Sequence, residues 1–207
     1  MPELKTDIER REFYFDVDAK KDETRGHMLE GIPIVFGQRA DLGWYDEIIE
    51  PGALDATDMK DVPFLINHDM EAMPLARSRN NNENSTMQMR VQPDGMHIRV
   101  NLDVDRNVRA SEAYSAAERG DVSGMSFAFT VADDSWEGLD TGHPIRHIRS
   151  ISKLFEVSMV TFPAYSGAVI QARSLDSAKA SLESAMNELK ELREKKQKLA
   201  LRLRLEN

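Results

Sequence analysis

From Ser174 to Asn207 the chain has neither glycine nor proline, so all 11 glycines and 8 prolines fall in the first 173 residues. No other feature limits the fold as much. A stretch of helix formers without a breaker reads as one continuous helix, whereas the breaker-rich part must turn often and fold back on itself. Upstream, the repeating unit is a short alternating or apolar run bounded by turn residues: "REFYFDV" (11–17), "GIPIVFG" (31–37), "WYDEIIEPGAL" (44–54) and "VPFLINHD" (62–69). In "TMQMRVQPDGMHIRVNLDV" (86–104), two alternating runs flank Pro93-Asp94-Gly95, the clearest hairpin pattern in the chain. "RNVRASEAYSAAERG" (106–120) predicts a helix ending at Gly120, and strands follow at 124–132 and 145–162. Many strands with one or two helices give an α+β chain, with a closed or nearly closed β-barrel and helices packed outside. The domain reading is therefore a β-barrel over residues 1–173 and a helical segment over 174–207.

Within that last segment, Leu175, Leu182, Leu189 and Leu203 follow a seven-residue spacing broken only by Lys196, with Ala178, Ala185, Leu192 and Leu199 at the companion positions. The stripe runs for about four heptads, enough for a coiled coil or a partner-binding helix. A terminal helix docked on its own domain is the plain alternative. The final third is basic, with Lys190, Arg193, Lys195, Lys196, Lys198, Arg202 and Arg204. Such a run usually forms a solvated face, and it also suits an acidic partner.

The 207 residues, 41% hydrophobic and 30% charged, suit one ordinary globular domain with an appendage. A formal charge of −9 argues against a general nucleic-acid binder. There is no cysteine, which excludes disulfides, thiolate metal sites and cysteine nucleophiles and fits an intracellular setting. No run reaches membrane-spanning length, and the charged start "MPELKTDIERREF" is unlike a signal peptide.

Three of the apolar strands each carry one reactive or ionisable residue. In "GDVSGMSFAF" (120–129), Phe127 and Phe129 point one way and Ser126 and Ala128 the other. In "VPFLINHD", alternation puts His68 on the face of Phe64 and Ile66; in "SKLFEVSMVTFPA", it puts Glu156 with Leu154, Ser158 and Val160. Each has an ordinary account: Ser126 as a small filler, His68 as a strand-end residue, Glu156 as a solvated acid. Together they supply a nucleophile, a base and an orienting carboxylate. A serine hydroxyl needs a base to take its proton, and a carboxylate on the far ring nitrogen fixes that base's tautomer.

Five segments in order, "GIPIVFG", "EIIEPGAL", "FLINHDMEAMPLAR", "LDVDRNVRASEAYSAAERGDVSGMSFAF" and "LFEVSMVTFPAYSGA", resemble the prohead (procapsid) maturation proteases of tailed phages, whose fold is similar to that of the herpesvirus assemblin proteases. The resemblance runs from about residue 29 to 171. It implies a mainly antiparallel barrel of about seven strands ringed by helices. It also implies a serine endopeptidase of Ser-His-Glu type, with His68 at the family's catalytic histidine and Ser126 at its nucleophile. Glu156 stands where the third member is expected, a role a second histidine fills in the herpesvirus enzymes. Such an enzyme would sit inside the immature procapsid in the host cell cytoplasm, and cut scaffold and capsid segments and itself. Its partners would be capsid and scaffolding proteins and further copies of itself, as a dimer or higher oligomer, with no membrane or specific nucleic acid. No cofactor or metal is implied. The sequence does not name the oxyanion donors; backbone N–H groups in the loop around Pro163–Gly167 are the candidates.

Ser123 and Ser158 rival Ser126 as nucleophile, although Ser123 can serve merely to shape a turn and Ser158 to support Glu156. His143 and His147 have an H-x3-H spacing without further ligands nearby, and His97 reads as a structural hairpin residue. From another class, the competing reading is an inactive scaffold that binds capsid subunits through its helical tail.

Overall fold

The computed structural model describes residues 8–14, 17–22, 26–161 and 172–205. In chain order the elements are β1 (Glu9–Tyr14), β2 (Asp18–Asp22), β3 (Gly26–Val35), β4 (Arg39–Asp41), β5 (Asp46–Ile49), β6 (Asp61–Ile66), β7 (Ala76–Arg79), β8 (Met87–Gln92), β9 (Gly95–Leu102), α1 (Val108–Glu118), β10 (Gly124–Glu137), β11 (Ile145–Val160) and α2 (Ala172–Leu205). The α+β class and the two helices agree with the sequence reading.

The local expectations hold best. Asn107 caps α1 by accepting the backbone N–H groups of Arg109 and Ala110. Gly120, at φ 74°, ends it, and Gly120 N–H and Asp121 N–H take up the Ala117 and Ala116 carbonyls. The β8–β9 hairpin turns at Pro93-Asp94 with Gln92 opposite Gly95. A Cβ on Gly95 would lie 2.1 Å from the Ile34 carbonyl oxygen, so the approach of β3 to this turn requires glycine.

The closed barrel of about seven strands is not what forms. Among the described residues there are eleven strands in two sheets, neither of which closes on itself. One is four-stranded, in the order β2-β3-β9-β8; the other is seven-stranded, running β1-β10-β11-β5-β4 with β6 on β11 and β7 on β6. The long β11 explains the difference. It carries two parallel partners along its length, β5 at Ile145–Ile148 and β6 at Val157–Met159. The pairings between the other strands are antiparallel. The inner faces of both sheets share one core: Leu29, Ile34, Met96, Ile98 and Val100 pack with Met125, Phe127, Phe129 and Leu154, and α1 adds Ala110, Ala113 and Tyr114.

Helix α2 has 34 residues, about 50 Å of helix, and among its described side chains burial is confined to the part near its start. Ala178 is fully buried, Ser177 donates to Glu9 Oε1 (3.1 Å), and Ser181 donates to Asp134 Oδ1 (2.7 Å) while accepting from Trp136 Nε1 (2.9 Å). Further along, the heptad stripe is open to solvent at Leu192 and Leu199. The side chains of Leu175 and Leu203 lie outside the described residues.

Candidate active site

Ser126 sits in the middle of β10 with Glu12 of β1 on one side and Ser158 of β11 on the other, each directly opposite in register. Cross-strand partners share a face, so three polar side chains meet on the side of the sheet away from Phe127 and Phe129. Ser126 and Ser158 are fully buried. Buried hydroxyls must be hydrogen-bonded, and Ser126 Oγ donates to the main-chain carbonyl of Arg11 at 2.7 Å.

Glu156 shares this face with Ser158, as alternation predicts, but Leu154 does not. Ala128 pairs with Glu156, but Phe129 pairs with Leu154, so Phe155 is the extra residue of a bulge. The bulge reverses the alternation: Leu154 joins Phe129 in the core, while Glu156 stays with Ser158. Alternation alone had placed Leu154 and Glu156 together.

His68 also arrives differently from the expectation. Strand β6 ends at Ile66, and Asn67 and His68 follow at φ 51° and 60°, a left-handed pair that non-glycine residues adopt only when neighbours hold it. The neighbours are specific. Asn67 N–H donates to the Met159 carbonyl (2.9 Å), Asn67 Oδ1 accepts from Thr161 N–H (2.9 Å), and His68 N–H donates to Ser158 Oγ (3.2 Å). The turn delivers His68 Nδ1 to Glu156 Oε1 at 2.6 Å. Ser158 in turn donates to Glu156 Oε2 at 2.5 Å, so the buried carboxylate is held by both oxygens. The far nitrogen, His68 Nε2, lies 3.4 Å from Glu12 Oε1. Burial alone would lower the pKa of this imidazole, but the Glu12 and Glu156 carboxylates outweigh it and raise the pKa to about 9.

A buried ionic cluster on the opposite face of β1 fixes that strand. Arg11 bonds Glu47 through Nε (2.5 Å) and Glu9 through Nη2 (2.5 Å), and its guanidinium lies over the Phe129 ring. Arg146 bonds Glu9 (2.9 Å) and, through Nε, Asp134 (2.6 Å). Arg11, Glu9, Glu47 and Arg146 are all buried. Their mutual pairing holds the Glu9 carboxyl below its usual range despite burial. Sequence reading found neither this cluster nor Glu12. The strand holding Glu12 lies more than a hundred residues from its partner Ser126, and no short-range pattern reports such a pairing.

Among the remaining candidates, Ser158 has its hydroxyl committed to Glu156, and Ser123 lies in the turn before β10. His143 and His147 do not converge: His143 pairs with Asp46 (3.0 Å), and His147 lies between Glu50 (2.7 Å) and Glu137 (3.3 Å). Asp41, Asp46 and His143 have ligand-like spacing, but Asp46 is already paired with Arg39 as well as His143. His97 pairs with Asp94 in the hairpin turn. The Pro163–Gly167 segment, expected to supply oxyanion donors, lies outside the described residues. No helix among the described residues is long and apolar enough to cross a membrane.

A model of the caudovirus prohead serine protease family matches residues 15–181. The "Prohead protease" of Enterobacteria phage HK97 is 30% identical to the chain over 182 residues, covering 85% of this chain and 72% of that protein. No solved structure matches.

Proposed function

The chain belongs to the family of caudovirus prohead serine proteases, and from that premise we propose that Ser126, His68 and Glu156 are its nucleophile, base and orienting acid. The observation that supports this most is the Glu156–His68 bond at 2.6 Å beside the serine strand. A carboxylate on Nδ1 leaves Nε2 to accept a proton, the tautomer a serine base requires. Ser126 Oγ attacks the scissile carbonyl carbon as its proton passes to His68 Nε2. His68 then returns that proton to the leaving amine as the C–N bond breaks, and water hydrolyses the acyl-enzyme by the same exchange. Glu156 orients the ring and stabilises the imidazolium as it forms.

The substrates in this reading are scaffold and capsid-protein segments and the chain itself, cut inside the procapsid in the host cytoplasm. The two-sheet unit up to residue 173 carries the chemistry. The segment from 174 carries assembly, with copies of itself or with capsid and scaffold chains, through the leucines that α2 leaves exposed. Co-expression with the cognate capsid protein tests the reading: intact mass should show new fragments with the natural chain and none with Ser126→Ala or His68→Ala. Fragments that persist with Ser126→Ala refute it; co-assembly without cutting by the natural chain returns the protein to the scaffold class.

A further inference from the structure

Strand β1 is the edge of the seven-stranded sheet, and the strand it covers is the one that carries Ser126. An exposed edge presents unpaired N–H and C=O groups, and an extended peptide binds there by adding a strand. Here the position is filled by the chain itself. The Arg11 carbonyl accepts the Ser126 hydroxyl at 2.7 Å, and Ser126 is fully buried. The next side chain, Glu12, presents its carboxylate to His68 Nε2 at 3.4 Å, the nitrogen on which the proposed reaction depends. One strand thus occupies both working atoms of the serine–histidine pair.

We propose that β1 is a built-in occupant of the peptide-binding edge, which closes the site until it is displaced, and that the substrate is an extended peptide segment pairing antiparallel with β10 in its place. This rests on the peptidase reading of Ser126 and His68 given above. Two further observations support it. The family match begins at residue 15, immediately after β1, so the covering strand lies outside the matched region. The alternation of β1 also divides the labour: Glu9 and Arg11 anchor one face to Glu47 and Arg146, and Glu12 closes the other. The anchor extends to the tail, because Glu9 also accepts from Ser177 of α2. Whatever draws α2 onto a partner therefore acts on the same carboxylate that holds the occupying strand.

The test places a recognition site for an exogenous site-specific protease between residues 14 and 17 of the full chain. The cut chain is freed of its N-terminal peptide, and labelling of Ser126 by a fluorophosphonate is timed. In that reaction the serine oxygen bonds phosphorus, fluoride leaves and the proton passes to His68. The cut chain should label about tenfold faster or more, because a mostly closed site reduces the apparent rate by its open fraction. Adding back a synthetic peptide of residues 1–14 should restore the slow rate. If removal of the strand unfolds the chain, Glu12→Gln in the uncut chain decides, and it should label faster than the natural chain. Equal rates for uncut and cut chains, no effect of the peptide, or no acceleration in Glu12→Gln would overturn the occupant proposal while leaving Ser126 as nucleophile. A folded chain that labels at Ser126 in neither form overturns the peptidase reading, and the proposal with it.

Discussion

Replacing Glu12 with glutamine should lower the pKa of His68 by about 1, and the structure supplies the arithmetic. Burial acts to depress this imidazole, yet its pKa is raised from 6.5 to about 9. The two carboxylates therefore supply the entire rise and offset burial besides. Glu156 bonds Nδ1 at 2.6 Å, and Glu12 faces Nε2 at 3.4 Å, so each carboxylate contributes to the rise. A change of about 1 corresponds to about 1.4 kcal/mol, and solvent on the Glu12 side brings it closer to about 1 kcal/mol. The assay is an NMR titration of the imidazole nitrogens in the natural chain and in Glu12→Gln. The sign for stability follows from the direction of the shift. A raised pKa in the folded state means protonation favours folding, so this contribution is fully present below pH 6.5 and is lost as the pH rises through about 9. Urea unfolding between those limits should accordingly show a smaller loss of stability in Glu12→Gln than in the natural chain. A natural-chain midpoint near 6.5, or a midpoint unmoved by the substitution, would refute the two-carboxylate clamp.

Other consequences can be checked separately. Glu156→Gln keeps the shape of a buried side chain but removes the charge on His68 Nδ1, so cleavage should fall by about a thousandfold or more with an unchanged circular dichroism spectrum. Arg146→Met leaves Glu9 and Glu47 short of a buried partner and should cost about 3–5 kcal/mol in urea unfolding, far more than an exposed ion pair would. Leu192→Glu with Leu199→Glu alters only exposed positions of α2. The unfolding free energy should change by less than about 0.5 kcal/mol, while co-sedimentation with assembled capsid protein is lost.

What the sequence disclosed and what it hid follow from the range of the interactions. The β8–β9 hairpin and α1 were legible because Pro93-Asp94-Gly95, Asn107 and Gly120 act on residues a few positions away. The three proposed site residues were also picked out, by polarity within apolar runs, and Glu156 does share a face with Ser158, but the strand position of His68 and the placing of Leu154 beside Glu156 were wrong. His68 comes from a left-handed turn beyond β6, and a bulge at Phe155 turns Leu154 away from the face of Glu156 and into the core. Neither feature has a signature in hydrophobic alternation, which assumes an unbroken period of two. The closed barrel failed for a related reason, since the two parallel partners of β11 come from distant parts of the chain. Glu12 and the Arg11–Glu47–Arg146 cluster depend on the same kind of remote pairing.

The most direct measurement of the central claim is to quench the chain in acid while it is cutting its capsid-protein substrate and to locate any acyl adduct by peptide mass. An acyl group is expected on the peptide that contains Ser126, attached at that residue, and none in His68→Ala. An adduct on Ser123 or Ser158, or undiminished cutting with no adduct and full activity in Ser126→Ala, would contradict it.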